Sequence, residues 1–376
     1  MAAGLAAPSL PWRFGSATIM AATGLLCRGF LRGLSNLEVR GQDRFLELLD
    51  QRRDVGGRER GLITVANHVS VLDDPLIWGS LPLRYMFTPD NLRWSLASHD
   101  LAFTNKVLST FFNFGQTLPT HRLAHSPYGG LFQPTITQAI RLLSRGPFTS
   151  PSATPPTVHP ADIPDPFTSA TLTYTTNGHD TFPAPCAYAS RRHAWIHIFP
   201  EGKVHQKEDH TMRYFKWGVA RLILESDPCP DIVPMWVQGP QYVMHESREF
   251  PRFLPRPGKT VSVTFGERVG EDVFGDLRAR WRELRERDEA ARRQEGGAEA
   301  GELALGVLSE GLKYGKEAVE LRMECTMRVR EQVLMVRRST GLPDEDPKAG
   351  LVETYAIEGG KRQEGKMEDD SWVKDT

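Results

Sequence analysis

A histidine and an aspartate five positions apart are the residues of this sequence whose types and spacing best fit catalysis. His68 follows the apolar run 62–66, and Asp73 stands just before Asp74 and Pro75. Along a regular helix, five residues turn through about 500°, so the two side chains would point roughly 140° apart. On a turn they can meet, and a carboxylate bonded to one imidazole nitrogen leaves the other free to take a proton from a hydroxyl. We therefore predict that His68 is a general base acting on a substrate hydroxyl and that Asp73 orients it.

A simpler interpretation of the same residues stays open. Asp73 and Asp74 would be helix-entry residues only, and His68 an ordinary surface histidine, because such pairs are common by chance. The local pattern nevertheless predicts a turn here. The β-branched run 62–66 is typical of a short buried strand, while Asp74 and Pro75 suit the N-cap and first position of a helix. His68 and Asp73 are thus expected between a strand and a helix.

Two further stretches are suited to binding a phosphate. Arg122 ends an element that starts at Gly115, behind a turn-rich strand, where a fixed guanidinium would hold a phosphate through two hydrogen bonds. An exposed, solvated arginine is the alternative. Glu201, Gly202 and Lys203 follow the strand-like run ending at Phe199. There the glycine would let the backbone approach a ligand, the glutamate would bond a hydroxyl, and the lysine a phosphate. An ordinary type II turn with charged flanks is the alternative.

Composition excludes several classes of protein. The 376 residues are 40% hydrophobic, enough for a real core, and we expect one catalytic domain of roughly 230 residues with appendages. The net charge of −1 and the lack of basic repeats argue against a nucleic-acid partner. The four cysteines are far apart, so neither a metal cluster nor a disulfide framework is predicted.

Residues 1–36 are predicted to lie in a membrane interface. The segment holds arginines and no acidic residue, and the run 17–27 is uncharged and mostly apolar. Such a composition fits an interfacial helix, a transit peptide, the start of a secretory signal, or a plain helix packed on the domain; we favour the first. No apolar run approaches the roughly 20 residues that a spanning helix needs, so we expect no transmembrane helix.

The remaining segments divide the chain further. Residues 37–275 form the expected catalytic domain, interrupted by 147–185, which hold 9 prolines and 12 serines or threonines but no lysine or arginine. This insertion is predicted to be disordered and to carry no chemistry. Residues 276–340 are expected to be a charged helical extension, solvated over 278–293 and thereafter either docking a partner or returning to the domain. Residues 341–376 are expected to be a disordered acidic tail.

The hydrophobic pattern predicts alternating strands and helices. A strand at 231–239 contains Pro234, which should confine it to a sheet edge or a bulge. The other expected strands are 37–40, 62–66, 85–88, 94–97, 193–199 and 261–266, and the expected helices are 44–53, 76–80, 105–112, 133–145 and 214–224.

Four motifs in order resemble those of the glycerolipid acyltransferase superfamily, over roughly residues 35 to 270. They are the histidine-x4-aspartate pair, the glycine-to-arginine element, the Phe-Pro-Glu-Gly turn at 199–202 and the Val-Pro strand at 233–234. Within that superfamily the chain most resembles the tafazzin family. The further stretches that look like tafazzin elements are residues 78–79, 92–94, 199–206 and 234–236. Most of the superfamily places the arginine six positions after the glycine; here it follows by seven, as in tafazzins. The insertion is similar to those of fungal members.

The resemblance implies an α/β fold with a mixed sheet flanked by helices. It also implies a transferase that moves acyl chains between phospholipids and lysophospholipids without coenzyme A, remodels cardiolipin with phosphatidylcholine as a partner lipid, and uses no cofactor or metal. The expected location is peripheral, on mitochondrial membranes facing the intermembrane space. The implied site residues are His68 and Asp73 for catalysis and Arg122, Glu201, Gly202 and Lys203 for substrate binding.

Two rival functions are compatible with the same motifs. An acyltransferase that uses acyl-CoA would carry the same histidine and aspartate, and would release a free thiol. A non-catalytic peripheral membrane protein with a vestigial motif would bind lipid bilayers without exchanging acyl chains.

Overall fold

A mixed β-sheet forms the centre of the protein. The computed structural model describes residues 10–87, 91–123, 125–144, 173–183, 193–296 and 303–356. The strands are β1 Asn36–Arg40, β2 Leu62–Ala66, β3 Trp94–Ser98, β4 Thr117–Thr120, β5 Thr173–Tyr174, β6 Phe182–Pro183, β7 Trp195–Ile198, β8 Asp231–Gln238 and β9 Thr260–Phe265. Seven of them form one sheet in the order β1-β9-β8-β2-β7-β3-β4. The run from β8 to β4 is parallel, and β9 with β1 is antiparallel to it. The predicted mixed α/β fold is confirmed.

Helices cover both faces of this sheet. Ile63 and Val65 of β2 join one apolar cluster, whereas Leu62 and Ala66 join another. Because successive side chains of a strand point to opposite faces, the two clusters are the two sides of one core. The helices are α1 Leu10–Gly33, α2 Gln42–Gln51, α3 Asp73–Gly79, α4 His99–Ala102, α5 Lys106–Phe114, α6 Pro134–Leu143, α7 Gly218–Glu225, α8 Pro240–Val243, α9 Asp272–Gly296, α10 Glu310–Tyr314, α11 Lys316–Ser339 and α12 Val352–Ala356.

The parallel strands bring the candidate motifs to one edge of the sheet. The loops after β2, β7, β3 and β4 all leave from carboxyl ends, and those ends of parallel strands meet at the same edge. His68 follows β2, Glu201 follows β7, and Arg122 follows β4. The topology therefore gathers motifs that are far apart in sequence.

Two predicted strands need correction. Pro234 lies in β8, an inner strand flanked by β2 and β9, and not at a sheet edge. It is tolerated because the pairing with β9 begins only at Met235, and the Pro234 carbonyl still accepts from the Gly266 amide at 2.8 Å. The strand predicted at 85–88 is absent among its described residues, where a 3-10 turn, Leu83–Tyr85, is followed by Met86 and Phe87 in a turn.

The C-terminal helices belong to the main core. The prediction of a solvated helix over 278–293 is wrong for α9, whereas α11 shows the return to the domain that was one of its two open alternatives. In α9, Phe274, Leu277 and Trp281 are buried, so one face of this charge-rich helix packs inward. α11 packs on α7 and β8 and buries an apolar stripe that includes Cys325 and Val329. Both helices alternate apolar and charged faces, and the abundance of charge hid the apolar stripe.

The start of the predicted acidic tail is also ordered. Glu345 pairs with Arg330, and Tyr355 is buried, with its hydroxyl donating to the Met212 carbonyl at 3.2 Å. A composition rich in acids does not reveal one specific ion pair and one aromatic anchor. Residues 357–376 of that predicted tail lie outside the described residues.

The N-terminal helix is longer than its sequence pattern indicated. α1 has 24 residues with a mean hydropathy of 1.3 in its most apolar window, and within the described ranges it alone is long and apolar enough to cross a membrane. The uncharged run within α1, 14–27, is shorter than the roughly 20 residues of a spanning helix, but the helix continues through Arg13 and Arg28 and so reaches sufficient length. The expectation of no transmembrane helix therefore stays a prediction. One side of α1 packs on the domain, with Trp12 against Phe114 at 4.4 Å between ring centroids. Its other side leaves Phe14 and Leu26 exposed.

Part of the predicted disordered insertion forms a β-hairpin. β5 and β6 pair, and Tyr174 and Phe182 are buried against Ala102 and Phe103 at the end of α4. Two aromatic side chains anchor the hairpin although the segment is otherwise rich in proline and hydroxyl residues. Residues 145–172 and 184–192 lie outside the described residues.

Candidate active site

The turn between β2 and α3 brings His68 and Asp73 into contact. His68 Nδ1 donates to Asp73 Oδ2 at 2.9 Å. The histidine side chain is 21% exposed and the aspartate is fully buried. The other ring nitrogen, Nε2, has no hydrogen bond to any part of the chain that the structure describes. The arrangement therefore fixes one tautomer and leaves a partly exposed nitrogen able to accept a proton.

Asp73 also holds the turn itself. Its Oδ2 accepts the amides of Val69 at 2.6 Å and Ser70 at 2.8 Å. Burial raises the pKa of the Asp73 carboxyl, while the His68 contact and the two amide bonds oppose the rise. One oxygen thus binds both the imidazole and the backbone that carries it. The position of Asp73 and the position of His68 are consequently fixed together.

The predicted N-cap role of Asp74 is wrong, because its carboxylate is used elsewhere. The helix begins at Asp73, and Asp74 accepts a bond from Trp78 Nε1 at 2.8 Å. Arg93 Nε also donates to it at 3.1 Å, together with a second, shorter Nη2 contact. Burial would raise the pKa of Asp74, but the Arg93 charge outweighs it and holds the pKa below the usual range. Asp74 therefore ties α3 to the start of β3.

Glu201 supports the same turn from the neighbouring strand. Its Oε1 accepts the His68 amide at 2.7 Å, and its Oε2 accepts the Arg213 amide at 2.9 Å. The side chain is 3% exposed, and this burial raises the pKa of Glu201 from 4.5 to about 7. Each carboxylate oxygen binds a backbone amide, and the expected bond from Glu201 to a substrate hydroxyl stays a prediction. Glu201 positions His68 through the main chain.

Further contacts fix the histidine ring and its loop. Phe199 stacks on His68 with ring centroids 4.4 Å apart and planes 19° apart. The His68 carbonyl accepts the His205 amide at 2.8 Å. Asn67 makes two bonds of 2.8 Å to the backbone of Val237, one as donor and one as acceptor. The loops after β2 and β7 and the end of β8 are therefore bonded to one another around the imidazole.

Arg122 lies at the same sheet edge but is paired within the protein. Its Nε donates to Asp100 Oδ1 at 3.1 Å, and Nη2 makes a shorter contact to Oδ2. Burial acts to raise the pKa of Asp100, but Arg122 lowers it overall from 3.8 to about 2. Two strands separate β4 from β2, which corresponds to about 14 Å at 4.8 Å per strand. A phosphate that takes two parallel hydrogen bonds from Nε and Nη2 would therefore have to replace Asp100.

Gly202 and Lys203 form the exposed rim beside Glu201. Gly202 has a φ of +67°, and its amide donates to the Phe199 carbonyl at 3.1 Å, which closes the turn. A Cβ at this position would lie 3.0 Å from the Lys216 side chain. The turn therefore favours glycine both for its backbone angle and for its space.

Sequence reasoning missed several residues that build this site. Arg93 and Trp78 were noted only for family likeness, yet both bind Asp74. The spacing of four between Asp74 and Trp78 on a helix was the available signal. The stacking of Phe199 and the backbone contacts of Glu201 had no local signal, because they depend on which strands are neighbours.

Comparison with known proteins agrees with these features. A protein-family model described as Acyltransferase matches residues 36–238. A Saccharomyces cerevisiae protein named tafazzin is 32% identical over 349 residues, covering 90% of this chain and 81% of the relative. A Drosophila melanogaster tafazzin is 31% identical over 274 residues, covering 73% of this chain and 56% of the relative. The crystal structure of the 1-acyl-sn-glycerophosphate acyltransferase PlsC from Thermotoga maritima covers 72% of this chain and 77% of its own, with 16% identity and a TM-score of 0.38, a similarity too weak to support a structural conclusion.

Proposed function

Since this chain belongs to the acyltransferase family, and within it to the tafazzins, we propose that it transfers fatty acyl chains from phospholipids to lysophospholipids with His68 as general base. The observation that carries the proposal is the contact of 2.9 Å between His68 Nδ1 and a fully buried Asp73. It supplies an oriented imidazole at the carboxyl edge of the sheet, where ligands of α/β proteins bind.

In the proposed reaction His68 Nε2 removes the proton from a lysolipid hydroxyl. The resulting oxygen attacks the ester carbonyl of a donor phospholipid, and the tetrahedral intermediate collapses with loss of the donor's glycerol oxygen. The imidazolium returns its proton to that leaving oxygen, so one ester is broken and one is formed. Asp73 stabilises the transient positive charge on the ring. No thioester is needed, since the two esters are close in free energy.

The substrate-binding roles are refined by the contacts of each residue. Lys203, on the exposed rim, and Arg122 are proposed to hold phosphate groups of the lipids. Arg122 would do so by leaving Asp100; both side chains are about one third exposed, and such a pair is worth on the order of 1 kcal/mol or less. Glu201 and Gly202 are proposed to shape the turn that carries His68.

The proposed substrates are cardiolipin, its lysolipid and phosphatidylcholine, on mitochondrial membranes that face the intermembrane space. This part rests on the resemblance to tafazzins. The exposed side of α1, with Phe14 and Leu26, is proposed to enter the bilayer and bring the site to its lipids.

The test is label transfer in mixed bilayers without coenzyme A. Purified chain is incubated with phosphatidylcholine carrying a labelled acyl chain and with unlabelled lysocardiolipin, beside His68→Ala and a control, His125→Ala, which changes an exposed histidine outside the site. We expect label in cardiolipin with the wild type and the control only.

The same assay separates the rival functions. Transfer that occurs only after addition of acyl-CoA, with release of free thiol, would indicate a thioester-dependent reaction and contradict transacylation. Binding to bilayers without transfer under either condition would contradict an acyl-transfer function altogether.

A further inference from the structure

Three metal-ligating side chains meet away from the His68 site, at the end of the sheet where β3 and β4 stop. His99 is the first residue of α4, His121 follows β4, and Asp180 lies in the turn of the β5–β6 hairpin. One ligand atom from each of the three lies within 4.8 Å of the other two. The three residues come from segments far apart in sequence, so only the fold brings them together.

The two imidazoles are oriented toward the same carboxylate. Their rings stack with centroids 4.3 Å apart and planes 21° apart. Asp180 Oδ2 lies 3.5 Å from His99 Nε2 and 3.9 Å from His121 Nε2. A tetrahedral zinc ion with bonds of about 2.1 Å keeps its ligand atoms about 3.4 Å apart. Side-chain movements of a few tenths of an ångström to about one ångström therefore bring the three atoms to coordination distance.

Neighbouring groups hold the carboxylate in place. Asp180 Oδ1 accepts the Thr176 amide at 2.6 Å and the Thr175 hydroxyl at 3.0 Å, and Oδ2 accepts the Thr176 hydroxyl. The same hydroxyl lies 2.7 Å from His121 Nε2. Hydrogen bonds that orient a ligating carboxylate are a regular feature of metal sites.

The three side chains of the cluster are largely buried, and aromatic side chains pack against them. The His121 side chain is 3% exposed, Asp180 15% and His99 26%. Phe103 and Phe182 meet edge to face beneath it, 5.3 Å between centroids. Nearby charges cancel, because Arg122 and Asp100 pair with each other. His99 has the largest exposed fraction of the three, so water or a further ligand can reach the cluster there.

We propose that His99, His121 and Asp180 bind one divalent transition-metal ion of the zinc class, which clips the insertion hairpin to the ends of β3 and β4. Two imidazoles and a carboxylate suit zinc, with solvent or the Thr176 hydroxyl completing four ligands. On binding, the neutral His121 ring shifts its proton from Nε2 to Nδ1 by exchange with solvent, and Nε2 then exchanges its Thr176 hydrogen bond for the metal. The sequence led us to expect no metal, and this expectation is revised here. A site assembled from three separate segments has no local spacing of ligands that would indicate it.

The test uses tag-free full-length chain stripped with a chelator and titrated with Zn²⁺ by calorimetry. We expect one ion per chain, and Co²⁺ in its place should give the visible absorption of a tetrahedral site. His99→Gln and Asp180→Asn should weaken binding at least about tenfold. His179→Gln, which alters an exposed histidine next to Asp180, is the matched control and should bind as the wild type does.

Hydrogen exchange supplies a second readout that does not depend on affinity alone. Zn²⁺ should slow exchange of residues 173–183 in the wild type and in His179→Gln, and not in Asp180→Asn. Failure of the wild type to bind one ion, or equal binding by Asp180→Asn, would overturn the proposal. So would metal binding that leaves exchange of the hairpin unchanged.

Discussion

Replacing Asp73 by asparagine should remove a charge from the site while keeping its geometry. Oδ2 accepts three donors: His68 Nδ1, the Val69 amide and the Ser70 amide. The asparagine oxygen must take this place, because an NH₂ group there would face three donors. His68 then keeps its tautomer, and the variant isolates the effect of the negative charge.

The size of the effect follows from the charge that develops on the ring. A carboxylate and an imidazolium about 4 Å apart attract by about 4 kcal/mol at an effective dielectric constant of 20. The asparagine oxygen retains part of this through its dipole. At 1.36 kcal/mol for each factor of ten, we expect a loss of roughly 10²- to 10³-fold in turnover. The NH₂ group will take the place of Asp73 Oδ1, which is buried and has no hydrogen-bond partner among the described residues. A buried donor without a partner should lower the free energy of unfolding by about 1–3 kcal/mol.

The assay is the initial rate of label transfer, with thermal unfolding followed by circular dichroism on the same samples. His68→Ala alone should reduce turnover by at least about 10². Adding Asp73→Asn to His68→Ala should reduce it little further, because Asp73 acts through His68. Turnover of Asp73→Asn within threefold of the wild type, or a full additional loss in the double variant, would refute this reasoning.

Other predictions concern stability, substrate binding and the membrane. Because burial disfavours the charged form and raises the pKa of Glu201 from 4.5 to about 7, the neutral carboxyl contributes stability that is fully present below pH 4.5 and is lost as the pH rises through 7. The difference in urea-unfolding free energy between wild type and Glu201→Gln should change over that range by an amount on the order of 3 kcal/mol, and a constant difference would contradict this. Arg122→Ala should raise KM for the lysolipid, whereas Asp100→Asn, which releases the guanidinium, should lower KM by up to about fivefold. Unchanged KM in both variants, measured by steady-state kinetics, would contradict the phosphate role of Arg122. Phe14→Glu, on the exposed side of α1, should reduce co-sedimentation with anionic vesicles, and Met327→Glu, exposed on α11, should not; equal effects would remove the special role of α1.

Features encoded over a few residues could be predicted from the sequence. The strand before His68 has the expected bounds, 62–66, and the His68–Asp73 contact lies on a turn as the five-residue spacing required. Strand pattern, turn geometry and residue chemistry act locally here, so the sequence contains the whole signal.

Features that depend on neighbouring strands could not be predicted in this way. The ion pair of Arg122 with Asp100 joins the residues after β4 to α4, the helix after β3. Asp180 meets His121 only because a hairpin folds back on the sheet. Pro234 is accepted in an inner strand because of where β9 pairing begins. Each outcome depends on the order of strands, which composition and periodicity do not specify.

The most direct test of the central claim compares initial rates of acyl transfer from labelled phosphatidylcholine to lysocardiolipin, without coenzyme A, for wild type, His68→Ala and His125→Ala. A histidine base predicts that His68→Ala folds normally and loses at least about 10² in rate, while His125→Ala keeps the wild-type rate. A folded His68→Ala protein that transfers acyl chains at the wild-type rate would contradict the assignment of His68 as the catalytic base.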